Sequence, residues 1–240
     1  MRIFGWCLVL LLSAGAPAAA AGLTILSPAS SASGASQVAG QFTAKTGIAV
    51  TVGGGGREKI FAILKDGGAA DVVLLPSADF TNLPQITGVV PLGRIVVGVA
   101  VKAGSPVPDI STPEKFRAAL LAAKGVAYAD PAAGTSAGKV IDRMLSAPEF
   151  AGVKRVPIQG LAVGGLTSDK ADIALQMLPE LAANKDVALA GPVPAAYGAG
   201  VDFSAGLAAQ SEQARSLIAF FIGPEAAALW RANGLNPTAH

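Results

Sequence analysis

Between positions 23 and 52 the chain reads LTILSPASSASGASQVAGQFTAKTGIAVTV, and this stretch restricts the fold most. A short apolar run gives way to a Ser-rich turn. Ala35, Val38, Ala39 and Phe42 then recur at helical spacing, and a second apolar run closes the unit. Strand, loop, helix, strand is the repeating element of an α/β sheet. The Ser/Gly loop sets hydroxyls and unpaired backbone N–H groups at the positive end of a helix dipole, a place suited to an anion.

Ahead of this unit, residues 1–21 carry one basic residue (Arg2), the apolar core IFGWCLVLLL and the small-residue run APAAAA. These are the three regions of a secretory signal peptide, with cleavage expected near Ala21 and the mature protein in a bacterial periplasm. The apolar core is too short for a membrane span. Cys7, the single cysteine, lies inside the leader and departs with it. The mature chain then has no disulfide, no thiolate metal site and no cysteine nucleophile. A periplasmic core of this size needs no such staple.

Charge is nearly balanced, 18 Lys and Arg against 16 Asp and Glu, with no basic run. No nucleic-acid footprint or polybasic membrane patch is expected. The hydrophobic fraction of 52% comes largely from Ala and Val, and no second long apolar stretch follows the leader.

The alternation continues along the chain. A glycine tract, 53–56, leads into a helix with Ile60, Phe61 and Leu64 on one face, and VVLL after Asp71 reads as a buried strand. IVVGVAV (95–101), VAYAD (126–130), KADIALQM and DVALAGPVP are further strand candidates. Helices are expected from Pro113, with Phe116, Leu120 and Leu121 inward, after PAAGTSAG, and at 210–222 and 224–232. Continuous apolar strands alternating with helices imply parallel sheets covered on both faces. Ligands of such sheets sit beyond the carboxyl ends of the strands, where the Ser/Gly loops lie.

Six stretches in order carry a resemblance: SPASSASGASQVAGQFTAKTGIAVTV, GGAADVVLL, GRIVVGVAV, AYADPAAGTSAG, KADIAL and FFIGPEAAALWRANGL. Together they resemble the periplasmic molybdate-binding protein family and, more widely, the type II solute-binding proteins of ABC importers. The resemblance implies an α/β fold of two doubly wound lobes joined by two crossing hinge segments, with a solute between them. One lobe would hold residues 22–94 and 191–240, the other 95–190. An ABC permease is the partner so implied; a solute sensor is the alternative.

This chain departs from the family's oxyanion site. Ser30 falls at the first binding serine, but the second falls at Arg57 and the binding tyrosine at Met177, beside Gln176. Tetrahedral oxyanions are selected by a ring of neutral donors, whereas a guanidinium fork matches a carboxylate. The expected ligand is therefore a small carboxylate, with a molybdate- or tungstate-type oxyanion as the alternative. Arg57 would be an ordinary surface residue if it paired with Glu58 or Asp66. Thr135 and Ser136, in PAAGTSAG, would donate from the second lobe or simply cap a helix. Arg94, at the start of the first crossing strand, would face the cleft or lie on the hinge surface. Gln176 would offer its amide to the ligand or merely end a strand.

No catalytic group stands out. The single histidine is His240, at the end of the chain, which leaves a Ser–His–Asp arrangement without a placed base. GGGGREK lacks the Lys-Ser/Thr pair of a phosphate loop. Asp71, Asp130 and Asp172 flank strands and read as caps. Expected, then, are no catalysis, no cofactor, no metal, no nucleic acid and a monomer; an enzyme on the same scaffold is the third reading.

Overall fold

The computed structural model describes residues 22–238. The leader with its cleavage point, and His240, lie outside the described residues. Within them, no helix is long and apolar enough to cross a membrane.

The first lobe opens with β1 (Leu23–Pro28), α1 (Ala29–Thr46), β2 (Val50–Gly55), α2 (Arg57–Lys65) and β3 (Val72–Pro76). The long strand β4 (Thr87–Lys102) leads to α3 (Pro113–Ala122), β5 (Val126–Ala129), α4 (Ser136–Leu145), β6 (Arg155–Ile158) and α5 (Val163–Thr167). Then come β7 (Ile173–Met177), α6 (Leu178–Ala182) and β8 (Val187–Pro192). The chain returns through β9 (Gly200–Leu207) and ends with α7 (Glu212–Phe221), α8 (Pro224–Ala232) and β10 (Leu235–Pro237).

The strands lie in the order β2-β1-β3-β9-β4-β7-β5-β6, with β8 and β10 also paired to β4. Two parallel triplets, β2-β1-β3 and β6-β5-β7, form the outer parts. The two strands between them pair antiparallel with their neighbours: β9 is antiparallel to β3 and β4, and β4 is antiparallel to β7. This corrects the expectation of purely parallel sheets, and its cause is connectivity. The chain crosses once through β4 and comes back once through the β8–β9 segment, so the returning strand runs against the outgoing one. β4 pairs with β9 as far as Val96 and with β7 from Val97 onward, so one strand serves both lobes.

Local chemistry explains the helices. On α1, Ala35, Val38, Ala39 and Phe42 are all buried, and Gly47 closes the helix in the left-handed region, its N–H donating to Thr43 O. Thr112 caps α3 ahead of Pro113, and Ser211 caps α7 by accepting from Ala214 N. On α3, Phe116 and Leu120 are buried, but Leu121 is 38% exposed, contrary to expectation. Five residues beyond Phe116, at 100° per residue, it has rotated off the apolar stripe. Asp71, Asp130 and Asp172 do cap strand ends: they accept from the N–H groups of Thr24, Ala132 and Lys124.

β9 is a strand that the sequence reading did not single out, although Val201, Phe203, Ala205 and Leu207 alternate along it and are all buried. Its two glycines dilute that pattern, and both are small for a steric reason. A Cβ on Gly206 would lie 2.5 Å from Ile86 Cγ2, and one on Gly200 would lie 2.8 Å from Arg94 Nε. Strand propensity is displaced there by packing against neighbours on both sides.

Residues 53–55 of the glycine tract belong to β2, and Gly56 is the N-cap of α2. Gly54 pairs with Ser27 across β1–β2 at φ 129°, and a Cβ there would lie 2.4 Å from Ser27 O. Gly54→Ala is expected to push β2 off β1, at about 2 kcal/mol. Urea unfolding should show a lowered midpoint with an unchanged slope. An unchanged midpoint would mean that β2 tolerates the side chain.

Candidate functional site

The carboxyl ends of β1, β2, β5 and β7 open onto one cleft of about 340 Å³. Three helices begin on its wall. α1 enters through Pro28, Ala29 and Ser30, α2 through Gly55, Gly56 and Arg57, and α4 through Thr135, Ser136 and Ala137. The N-cap residues of α1 and α2 are Pro28 and Gly56, and neither provides a side-chain cap. The first N–H groups of both helices are therefore left for a solute or water. On α4, Thr135 Oγ1 accepts from Gly138 N at 3.1 Å, so this threonine is a true N-cap while lining the cleft. The remaining wall is largely carbon: Leu75, Leu161, Met177, Val201 and Phe203.

Arg57 is held from two sides. Its Nε donates to Asp79 Oδ1 at 2.9 Å, and its guanidinium lies 4.2 Å from the Phe61 ring centroid. Both Nη groups are without a protein hydrogen-bond acceptor among the described residues, which leaves the outer edge of the fork available to a ligand. Asp79 itself is buried, and its Oδ2 has no hydrogen-bond partner. Arg57 thus pairs with neither Glu58 nor Asp66, the two neighbours in sequence open to it.

Ser30 is buried at the α1 start. Its neighbour Ser31 is turned away, sharing a 2.8 Å hydrogen bond with Ser27. Gln176 lies on the cleft wall, but both ends of its amide are engaged. Oε1 accepts from Ala162 N at 2.8 Å, and Nε2 donates to Glu180 Oε2 at 2.8 Å. Its amide is a brace between β7, the start of α5 and α6, not a free donor.

Arg94 is the member of the expected set that does not line this cleft. Its Nη1 donates to both carboxylate oxygens of Asp202, at 2.8 and 2.9 Å, and its Nη2 donates to Gly198 O at 2.7 Å. It borders a separate cavity of about 630 Å³ at the hinge, with Pro194 and Asn236. Larger volume does not make that cavity the better anion site, because its one cation is already saturated by a carboxylate and backbone carbonyls. Arg94 ties β4 to β9 across the crossing segments.

Sequence reasoning missed two residues. Asp79, far along the chain, orients Arg57. Glu180 lines the cleft from α6, where burial pushes its carboxyl above the usual carboxylate range against the opposing pull of the Gln176 hydrogen bond. The one available signal for Glu180 was its place four residues after Gln176, in QMLPE. Tyr128 and Tyr197 are not in the cleft: Tyr128 donates to Asp142, and Tyr197 packs on Phe116 and Phe150. Among the described residues no cluster of His, Cys, Asp and Glu is arranged to hold a metal.

Residues 23–236 match the bacterial extracellular solute-binding protein family. The chain belongs to that family. A curated relative, aconitate isomerase of Pseudomonas sp, is 28% identical over 177 residues, spanning 70% of this chain and 68% of the relative. Among solved structures, the periplasmic molybdate-binding protein of Azotobacter vinelandii aligns with TM-score 0.62 at 20% identity, covering 90% of this chain and 100% of that one. PEB3, a Campylobacter jejuni protein, aligns in its L-phospholactate-bound form with TM-score 0.65 at 16% identity, over 90% of this chain and 100% of that one. At these identities the solved structures establish the two-lobed fold of this solute-binding protein and nothing finer.

Proposed function

We propose that this solute-binding protein captures a small organic carboxylate between its lobes and delivers it to an ABC permease, without turning it over. The lobes would be residues 22–94 with 191–240, and residues 95–190. The exchange of partners along β4 between Val96 and Val97 supports that division. Ser30 and Arg57 receive the anion on the first lobe. Thr135 and Ser136 reach it from the second when the hinge closes, and expulsion of water strengthens each contact. Gln176 supports the wall rather than touching the ligand. The periplasm is the compartment this reading requires.

The guanidinium of Arg57 carries the reading. It is stacked on Phe61, anchored by Asp79, and free at its outer edge. A planar fork so held is matched to a carboxylate, whereas a tetrahedral dianion is better served by a ring of neutral donors. Size points the same way. The cleft of about 340 Å³ has the liquid volume of roughly ten waters, and much of its wall is carbon. The relative that acts on aconitate and the phospholactate bound to PEB3 are both consistent with a carbon-bearing acid.

The test is a thermal-shift series on the mature protein, purified without phosphate or citrate, against citrate, trans-aconitate, lactate, sulfate and molybdate. A ligand at 100 times its Kd should add about 2.7 kcal/mol. Stabilisation by carboxylates and not by molybdate is expected. Stabilisation by molybdate or sulfate alone would overturn the carboxylate reading.

One observation favours a second reading. A carboxyl, Glu180, stands in the same cleft as Arg57, and the Pseudomonas relative is an isomerase. Were Glu180 to take a proton from a bound unsaturated acid and return it elsewhere on the same molecule, the chain would interconvert isomers. Proton NMR of cis-aconitate incubated with the protein decides between the two. A spectrum unchanged over hours supports binding alone, and a new olefinic resonance establishes turnover.

A further inference from the structure

The cleft assembles helix N-termini and a guanidinium for an anion, yet it also contains a carboxyl group. Arg57 and Glu180 are the two ionisable residues on its wall. A carboxylate beside an incoming anion repels it, and the pair relieves that repulsion by holding one proton between them. Glu180 lines the cleft; its Oε2 is engaged by Gln176 Nε2, while Oε1 makes no hydrogen bond within the described residues. That oxygen is where a proton can be held against a ligand oxygen.

We propose that Glu180 makes capture proton-coupled: the cleft takes a carboxylate together with one proton, which sits on Glu180 and is donated to a carboxylate oxygen of the ligand. This rests on the carboxylate-capture reading above and adds to it a rule of selection. The preferred ligand is a weak acid whose carboxylate shares a proton well with another carboxyl, not the anion of a strong acid.

The surroundings of Glu180 leave it free to do this. Its carboxyl is already held above the ordinary range by burial, and the Gln176 amide opposes that shift without cancelling it. α6 packs against α1, β4, β7 and β8. From β4 come Arg94, bound to Asp202, and Lys102, 3.6 Å from Asp169. From α1 comes Lys45, paired with Glu225 of α8. β7 and β8 carry no charged residue. α8, whose following Gly234 abuts Pro179, adds only the exposed Arg231. No cation among these is committed to Glu180, and an anion arriving beside it raises its affinity for a proton further. The described residues contain no histidine, so no imidazole competes to explain uptake near neutral pH.

The sign follows. Below the free protein's Glu180 pKa the proton is already in place and affinity is at its plateau. Above it a proton must be taken up with each ligand, and affinity falls about tenfold per pH unit until the pKa of the complex is passed. Titration calorimetry of wild type with citrate and trans-aconitate, in buffers of different ionisation enthalpy near neutral pH, reads this directly. The expected result is uptake approaching one proton per ligand. In Glu180→Gln, whose amide donates without titrating, the part of the uptake due to the protein should vanish, and only the ligand's own titration should remain in the pH profile. Binding to wild type without proton uptake, with the same pH profile in both proteins, would overturn the inference and leave carboxylate capture standing. Failure of wild type to bind either acid would sink capture and the inference together. Should Glu180→Gln not fold, the wild-type buffer comparison still decides.

Discussion

In Arg57→Ala, affinity for the stabilising carboxylate is expected to fall by about 30-fold to several thousand-fold, the range for truncating one partner of a desolvated charge pair. Equilibrium titration measures it. The expectation is large because the side chain is pre-organised. Asp79 fixes Nε, Phe61 fixes the plane, and little rotamer freedom is left to lose on binding. Removing Arg57 also strands Asp79, which is buried and has one oxygen unpartnered already. The variant should therefore unfold more readily even without ligand, by a separate mechanism. Asp79→Asn added to Arg57→Ala should recover stability and leave binding lost. If the double variant recovers binding as well, the guanidinium is not the ligand's partner. Arg57→Lys is an intermediate case: it keeps the charge and loses both the fork and the stacking.

Much of the fold was legible because it is written in local periodicity. The strand, Ser-rich turn, helix and strand at the start, the capped helices after Thr112, Thr135 and Ser211, and the terminal helix from Pro224 all carry their signals within a few residues. What was not legible depends on distant neighbours. In β9 the alternation of Val201, Phe203, Ala205 and Leu207 stood in the sequence, but the glycines at 200 and 206, set by Arg94, Ile86 and Phe80, masked it. The antiparallel centre follows from the path between lobes, which each strand taken alone does not reveal.

The cleft divides along the same line. Ser30, Arg57, Thr135, Ser136 and Gln176 line it because they follow strand ends or begin helices, and that position is visible in sequence. What each one does there is set by partners elsewhere. Gln176 is occupied by Ala162 and Glu180, Arg57 is aimed by Asp79, and Arg94 is withdrawn by Asp202. Glu180 escaped notice because a Pro-Glu pair at the start of a short helix is an ordinary surface pattern. Only its place on the wall of an anion-binding cleft, beside Gln176, gives that glutamate the role proposed for it.

The largest loss of folding stability is expected at Trp230, in the terminal helix of the first lobe. Its side chain is 1% exposed, meets Phe221 edge-on at 5.5 Å, and donates from Nε1 to Phe221 O at 3.0 Å. It also packs against Gly34 of α1, where a Cβ would come within 2.8 Å of the indole. Glycine at position 34 and tryptophan at position 230 are thus two halves of one contact between α1 and α8. Trp230→Ala removes a large buried ring that the surrounding helices cannot collapse to fill, and it orphans a buried carbonyl. The expected loss is about 3–5 kcal/mol. For a chain of this length each kcal/mol moves the Tm by roughly 2–4 °C, so a fall on the order of 10 °C should appear in calorimetry. Trp230→Phe keeps most of the ring and loses only the hydrogen bond, and should fall well short of that. Gly34→Val approaches the contact from the other side and should also destabilise, by driving the indole out of its place. Because α1 starts at the cleft with Ser30, the same variants should weaken carboxylate binding in proportion to how far they displace that helix. A Trp230→Ala protein with unchanged Tm would mean that α8 is not fastened to α1 as the structure places it.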